Sequence, residues 1–334
     1  MRIVLFANNW GGWQVARFLR DRGEEIVGLV VQPEVDQRFA AEICEAAEVP
    51  PHRIWRASEL GDDRFLNAMR REKPQIGVSA WFGYVLKLEL AQLFSHGCIN
   101  LHAAYLPWNR GWHSNVWPIL DGSPAGVTIH YIDEGVDTGD VIAQARVAVA
   151  EVDTGGSLHR KLTLALVSLF GETWPAIVEG TNGRARQDNA TATLHRRRDL
   201  SPLDEIDRAK PYRARDLLNL LRARTYPPYP AAFYMEDGEP RYVRLALSQE
   251  GAEALCLQGA EIDLNAEAAA GWFLEVLSGP GVWPAWFTVD GNRIKVRAEL
   301  VAPEAIDTNA DPEWIVASRR ALSTEVASRA GATE

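Results

Sequence analysis

Met1-Arg2-Ile3-Val4-Leu5-Phe6-Ala7-Asn8-Asn9-Trp10-Gly11-Gly12 opens the chain with a short apolar run that gives way at once to two asparagines and a glycine pair. A run this short, bounded by turn-forming residues, has the length of a buried strand and is too short for a signal peptide or a membrane span. Trp13 to Arg22 follows with Val15, Phe18 and Leu19 on one helical face, and Glu25 to Val31 is a second apolar run. The alternation resumes at Ile76 to Ala80 and at Gly97 to His102. Strand, helix and strand in this order mark βαβ units, so the pattern predicts an α/β fold with a Rossmann-like, open, mostly parallel sheet. Gly126 to Ile132 and Val141 to Val149 read as an extended pair around a Gly/Asp-rich bend. From Asp153 an amphipathic helix is expected, with Leu158, Leu162, Ala165, Leu166, Leu169 and Phe170 on one face, Asp153-Thr154 at its cap and Pro175 near its end.

The chain has 334 residues, more than one core usually holds, which points to two domains. We expect a first domain over residues 1–180, a polar aperiodic linker over 181–204, a smaller β-rich C-terminal domain over 205–310, and a terminal helix or tail over 311–334. Arg241 to Leu247, Gly271 to Leu277 and Arg293 to Ala298 read as strands of the second domain, with turns at Asp237-Gly238 and Asp290-Gly291. The formal charge is −10, from 35 Lys and Arg against 45 Asp and Glu. From Ala231 onward the acidic residues outnumber the basic ones, a poor balance for gripping nucleic acid. Cys44, Cys98 and Cys256 are an odd, widely spaced set, which speaks against a disulfide framework and for a reducing, cytoplasmic setting with no membrane attachment. No Gly-x-Gly-x-x-Gly follows the first strand, and phosphate-loop, His-Glu-x-x-His and Gly-x-Ser-x-Gly patterns are missing, so no metal is expected.

One constellation remains. Asn100 and His102 lie two apart at the carboxyl end of a predicted strand, where open α/β sheets bind ligands, and so address one volume. Asp137 sits in the glycine-containing bend Asp133-Glu134-Gly135-Val136-Asp137-Thr138-Gly139-Asp140. An amide donor, an imidazole and a carboxylate are a minimal set for acyl transfer to an amine, with no nucleophilic side chain needed. Taken alone, Asn-x-His is also a common structural hydrogen-bonding pair.

The surrounding runs decide between these. Asn100-Leu101-His102-Ala103-Ala104-Tyr105-Leu106-Pro107-Trp108-Asn109-Arg110-Gly111, followed by Gly126-Val127-Thr128-Ile129-His130-Tyr131-Ile132-Asp133-Glu134-Gly135-Val136-Asp137-Thr138-Gly139, closely resembles the 10-formyltetrahydrofolate-dependent formyltransferase family. The resemblance implies that Asn100, His102 and Asp137 are catalytic and that 10-formyltetrahydrofolate is the formyl donor. It also implies that Phe82, Tyr84, Val85 and Leu86, with the bend Asp133, Glu134, Gly135 and Val136, hold the pterin ring. The acceptor is expected to be a small primary amine. Asn109-Arg110-Gly111, then Asn115 and Trp117, resemble the sugar N-formyltransferases, implying a nucleotide-linked amino deoxysugar; methionyl-tRNA, or an amino acid or hydroxyornithine, are the alternatives. Substrate contacts are expected from Asn8, Asn9, Trp10, Trp108, Arg110, Trp112, Asn115 and Trp117, with His113 either a further contact or an exposed loop residue; the His195-Arg196-Arg197-Arg198 run reads as a solvated linker, with a grip on a nucleotide phosphate as the alternative. His130 is expected to be a satisfied structural histidine, and the protein to form a homodimer.

Overall fold

The computed structural model describes residues 1–249, 259–279, 284–307 and 310–317. It divides into two compact units, one of residues 1–114, 124–148 and 161–195, the other of residues 115–123, 149–160 and 196 onward.

The first unit is built on strands β1 (Arg2–Ala7), β2 (Glu25–Val31), β3 (Ile54–Arg56), β4 (Ile76–Ala80), β5 (Cys98–His102), β7 (Gly126–Tyr131) and β8 (Val141–Arg146), with a two-residue strand β6 (Arg110–Gly111) set apart. Their order in the sheet is β3-β2-β1-β4-β5-β7-β8. The first five strands run parallel, while β7 is antiparallel to both β5 and β8. Residues Ile3 to Ala7 and all of β4 are buried, as strands covered on both faces require, which is why they read as unbroken apolar runs. The strand order reverses between β1 and β4, so their carboxyl ends flank the crevice in which such sheets take ligands.

Helices α1 (Asn9–Asp21), α2 (Ala40–Ala47), α3 (Asp63–Glu72) and α4 (Leu88–Ala91) follow the strands of this sheet. Helix α1 starts four residues earlier than the expected Trp13 and takes the glycine pair into its first turns. Glycine costs about 1 kcal/mol in a helix, but a β-carbon on Gly11 would run into the Trp81 indole, and one on Gly12 would press the Ala80 carbonyl at 3.2 Å. Close approach of helix to sheet is what those glycines allow.

A short helix, α5 (Trp117–Asp121), is grouped with the second unit, and the long helix α6 (Gly155–Glu179) contributes its first turns to that unit and the rest to the first. Thr154 caps α6 by accepting the Ser157 N–H at 3.2 Å. Pro175 lies inside the helix rather than after it. Among the described residues α6 alone is long and apolar enough to cross a bilayer. Leu162, Leu166, Phe170, Trp174 and Ile177 are buried along it, the stripe of a core helix, and Phe170 meets Phe18 of α1 edge to face at 5.4 Å. The polar stretch expected as a linker carries a strand, β9 (Leu194–His195), that pairs in parallel with β6.

The second unit centres on a five-stranded sheet. Strands β10 (Pro211–Arg213), β11 (Ala232–Glu236), β12 (Glu239–Gln249), β13 (Ala260–Glu261), β14 (Glu267–Ala269), β15 (Ala285–Val289) and β16 (Asn292–Val301) are joined by helices α7 (Ala214–Ala223) and α8 (Ala270–Leu277). The sheet order is β11-β12-β16-β15-β13, and β10 pairs separately with β14. Both hairpin turns form where expected, with positive φ at Asp237, Gly238, Asp290 and Gly291. The expectation of a strand over Gly271 to Leu277 is corrected: this is α8. Its buried Ala270, Phe273, Leu274 and Leu277 repeat at helical spacing, and they join Leu217, Leu221, Val243, Leu245, Phe287 and Val296 in the core. Of the expected terminal helix, residues 313–317 are helical; the rest, like Cys256, lies outside the described residues.

Within this unit His159 packs against the Tyr226 ring at 5.2 Å, with Trp314 at 6.5 Å. Burial pushes the His159 imidazole down to about 4. The unfolded chain therefore binds more protons than the folded one below about pH 6.5, and stability is lost as the pH falls from there toward 4. We predict that His159→Phe makes the loss of stability between pH 6.5 and 4 shallower, measured as urea midpoints across that window.

Candidate active site

Strand β5 presents Asn100 and His102, two residues apart, on one face. Its neighbour β7 sets His130 directly opposite Asn100 and Thr128 opposite His102. The bend after β7 then returns Asp137 to the same place. Asp137 Oδ1 lies 3.3 Å from Asn100 Nδ2 and 3.4 Å from His130 Nε2. Its other oxygen, Oδ2, accepts the Gly111 N–H at 2.9 Å and stands 3.7 Å from His102 Nε2. The three side chains singled out in the sequence thus meet, and His130 stands among them, buried and with a polar partner at each ring nitrogen. The signal for His130 was the alternation Thr128-x-His130, legible once β7 is known to pair antiparallel with β5.

Burial alone would raise the Asp137 carboxyl, but its polar surroundings, His102 first among them, outweigh it and hold the group well below the usual carboxylate range. The site therefore contains a fixed negative charge. His102 Nε2 is also 3.2 Å from the Asn109 carbonyl, an acceptor only, so the proton of the neutral ring sits on Nε2 and the lone pair on Nδ1. The Asn100 amide stands beside this carboxylate, where an N–H can meet negative charge developing on a carbonyl oxygen.

The bend and the loop after His102 are held by a strap of residues that sequence reading treated as featureless. Gln187 Nε2 donates to the carbonyls of Asp137 and Gly139, at 2.9 and 2.7 Å, while its Oε1 accepts from the Arg110 guanidinium at 2.7 Å. Arg110 also donates to Asn189 Oδ1 at 2.8 Å. Expected as a substrate contact, Arg110 is buried and committed to this brace. Thr193 accepts the Arg110 N–H through its carbonyl at 3.0 Å, and its hydroxyl accepts the Asn109 N–H at 2.7 Å. Nothing in the sequence of this aperiodic stretch marks Gln187.

The remaining expected residues divide. Phe82 and Leu86 are buried core side chains, Phe82 packing on Phe6 at 5.7 Å, whereas Tyr84, Val85 and Val136 are 38%, 75% and 46% exposed. Asp133 accepts from the Gly135 N–H and the Thr138 hydroxyl, closing the bend on itself with Glu134 exposed. Asn8 is buried after β1, 2.8 Å from the Gln32 amide and accepting the Arg38 N–H at 2.7 Å. The Asn9 side-chain oxygen accepts the Trp10 N–H at 2.7 Å, and the Trp10 ring is buried. Trp108 stacks on Tyr105, and Trp112 is exposed. Asn115 and Trp117 belong to the second unit, where Asn115 donates to the Gly155 carbonyl and Trp117 is buried. Among the described residues no three His, Cys, Asp or Glu side chains gather in a set able to hold a metal ion.

Residues 2–170 match the model of the formyl transferase family, and residues 199–249 match the N-formyltransferase dimerization C-terminal domain. Over 246 residues the chain is 32% identical to methionyl-tRNA formyltransferase of Bacillus velezensis, spanning 71% of this chain and 75% of that one. Among solved structures it is similar to a sugar N-formyltransferase from a Shewanella species, with a TM-score of 0.64 and 20% identity over 74% of this chain and 97% of that one. It is also similar to an N-formyltransferase from Helicobacter canadensis in complex with folinic acid and dTDP-3-aminofucose, with a TM-score of 0.58 and 17% identity over 89% of this chain and 99% of that one. At those identities the two structures speak for the fold.

Gly111 has φ +84°, and a β-carbon there would collide with the His195 carbonyl. Gly111→Ala is expected to destabilise the protein by about 1–3 kcal/mol in urea unfolding, through strain at the residue whose N–H holds Asp137.

Proposed function

We propose, from the premise that this chain belongs to the formyl transferase family, that it transfers the formyl group of 10-formyltetrahydrofolate to the primary amine of a nucleotide-linked amino deoxysugar. The observation that carries the chemistry is the Asp137 carboxylate, 3.7 Å from His102 and 3.3 Å from Asn100 on the carboxyl-end rim of the sheet. The donor supplies an acyl group already activated for attack by an amine. Tyr84, Val85 and Val136, large apolar side chains left exposed on the loops beside these residues, suit a flat heterocycle lying against them.

In this reading the chain's own residues act in three ways. Asn100 donates its amide N–H to the carbonyl oxygen on which negative charge develops, and His102 adds to that stabilisation. His102 takes up the proton the amine loses and passes it toward the leaving nitrogen. Asp137 stays ionised and steadies the imidazolium while His102 is charged. As the carbon–nitrogen bond to the amine forms, the bond to N10 breaks, and tetrahydrofolate departs with a proton on that nitrogen.

The acceptor class is supported by Asn109-Arg110-Gly111 with Asn115 and Trp117, and by the acidic balance of the chain beyond Ala231. The match over residues 199–249 to a dimerization domain supports a homodimer. Free thiols at Cys44 and Cys98 agree with a cytoplasmic setting. A second reading, formylation of methionyl-tRNA, is favoured by the 32% identity to the Bacillus velezensis enzyme.

Two tests follow from this. Incubation with 10-formyltetrahydrofolate and a panel of dTDP- and UDP-linked amino sugars, amino acids, hydroxyornithine and methionyl-tRNA is expected to release tetrahydrofolate with an amino-sugar nucleotide. Release with methionyl-tRNA alone would transfer the assignment to the second reading. Asn100→Ala, His102→Ala and Asp137→Asn should each lower kcat by about 10²- to 10⁴-fold while the melting temperature stays close to that of the parent protein.

A further inference from the structure

His130 is 2% exposed and lies on β7 directly across from Asn100. Its two ring nitrogens face different partners. Nδ1 is 2.8 Å from the Tyr131 carbonyl, which can only accept, so Nδ1 carries a proton. The neutral ring then has its lone pair on Nε2, and the Asn100 amide nitrogen stands 3.3 Å from it. Asp137 Oδ1 is 3.3 Å from the same amide nitrogen and 3.4 Å from His130 Nε2.

These three separations form a nearly equilateral triangle. Seen from the amide nitrogen, the two acceptors lie within an angle about half of that between its two N–H bonds. An amide turned so that one N–H falls between the two acceptors serves both Asp137 and His130 and directs its other N–H away from them.

We propose that His130 is a positioning residue for formyl transfer: as an acceptor at Nε2 it joins Asp137 in fixing the Asn100 amide, so that the second N–H is aimed at the carbonyl oxygen of the donor. Asp137 alone would hold the amide through one contact and leave it free to rock about that line. An acceptor on a separate strand, itself anchored by Tyr131, removes the rotation, and rate depends steeply on such alignment. The inference rests on the transfer reading given above.

Two substitutions separate the nitrogens. In His130→Asn the side-chain amide reaches the Nδ1 position, keeping the bond to Tyr131 and losing the partner for Asn100. In His130→Gln it reaches the Nε2 position and keeps that partner. With 10-formyltetrahydrofolate and the panel acceptor that turns over fastest, kcat is expected to fall on the order of 30-fold in His130→Asn with both KM values nearly unchanged. His130→Gln is expected to recover most of that loss. Equal losses in the two variants, wild-type kcat in both, or better turnover in His130→Asn would overturn the proposal. Should either variant fail to fold, long-range ¹⁵N NMR of the wild-type ring at pH 8 decides: the Nδ1–H tautomer is expected, and an Nε2–H tautomer or a doubly protonated ring refutes it. The tautomer is read without turnover, so a wild-type protein that releases no tetrahydrofolate with any acceptor would defeat the transfer reading alone.

Discussion

A carboxylate taken largely out of water has to be compensated by its neighbours, and the rim of the first unit is organised around that requirement at Asp137. Its side chain is 13% exposed. Removing such a charge from water costs several kcal/mol unless donors replace the lost hydration. Gly111 N–H and the Asn100 amide donate to it, and two imidazoles flank it. Each hydrogen bond to a charged group is worth about 1.5–3 kcal/mol, enough to hold Asp137 at φ +53°, a conformation that costs a non-glycine residue about 1–3 kcal/mol. The grouping that looks like catalytic design is thus also what satisfies one desolvated charge.

The sheet determines where that charge can stand. Strands β1, β4 and β5 deliver their carboxyl ends to one rim, and the strand order reverses there. Asn8 after β1, Phe82 to Leu86 after β4 and Asn100 with His102 on β5 all arrive at this rim because they end strands, whatever their chemistry. The antiparallel turn from β5 to β7 adds what a purely parallel sheet lacks, a residue facing Asn100 across a strand pair.

How much of this was legible depended on the range of the interaction. Local apolar runs gave β1, β2, β4 and β5 nearly to the residue, since burial on both faces writes itself into consecutive positions. Helix α8 was misread as a strand because eight residues rich in apolar side chains fit either period, and only the spacing of Ala270, Phe273, Leu274 and Leu277 separates them. The first turn of α1 was hidden by Gly11 and Gly12, whose reason for being there, the Trp81 ring and the Ala80 carbonyl, is seventy residues away in the chain. Asn100, His102 and Asp137 were found through their motifs. Gln187 was invisible, because its role depends on bonds to Arg110 and Asp137 across a separation that composition does not record.

The strap of residues 187–195 also bears on biosynthesis. A nascent chain leaves the ribosome amino end first, so β5, Asn100 and His102 are exposed to solvent long before Gln187 and Thr193 exist to brace the segments around Asp137. Contacts of such long sequence separation close last, after loop-closure entropy has been overcome. The bend that carries Asp137 is thus braced only when the first unit has been synthesised almost to its end, and translation that stops short of the strap leaves the Asp137 and Gly139 carbonyls without the Gln187 amide.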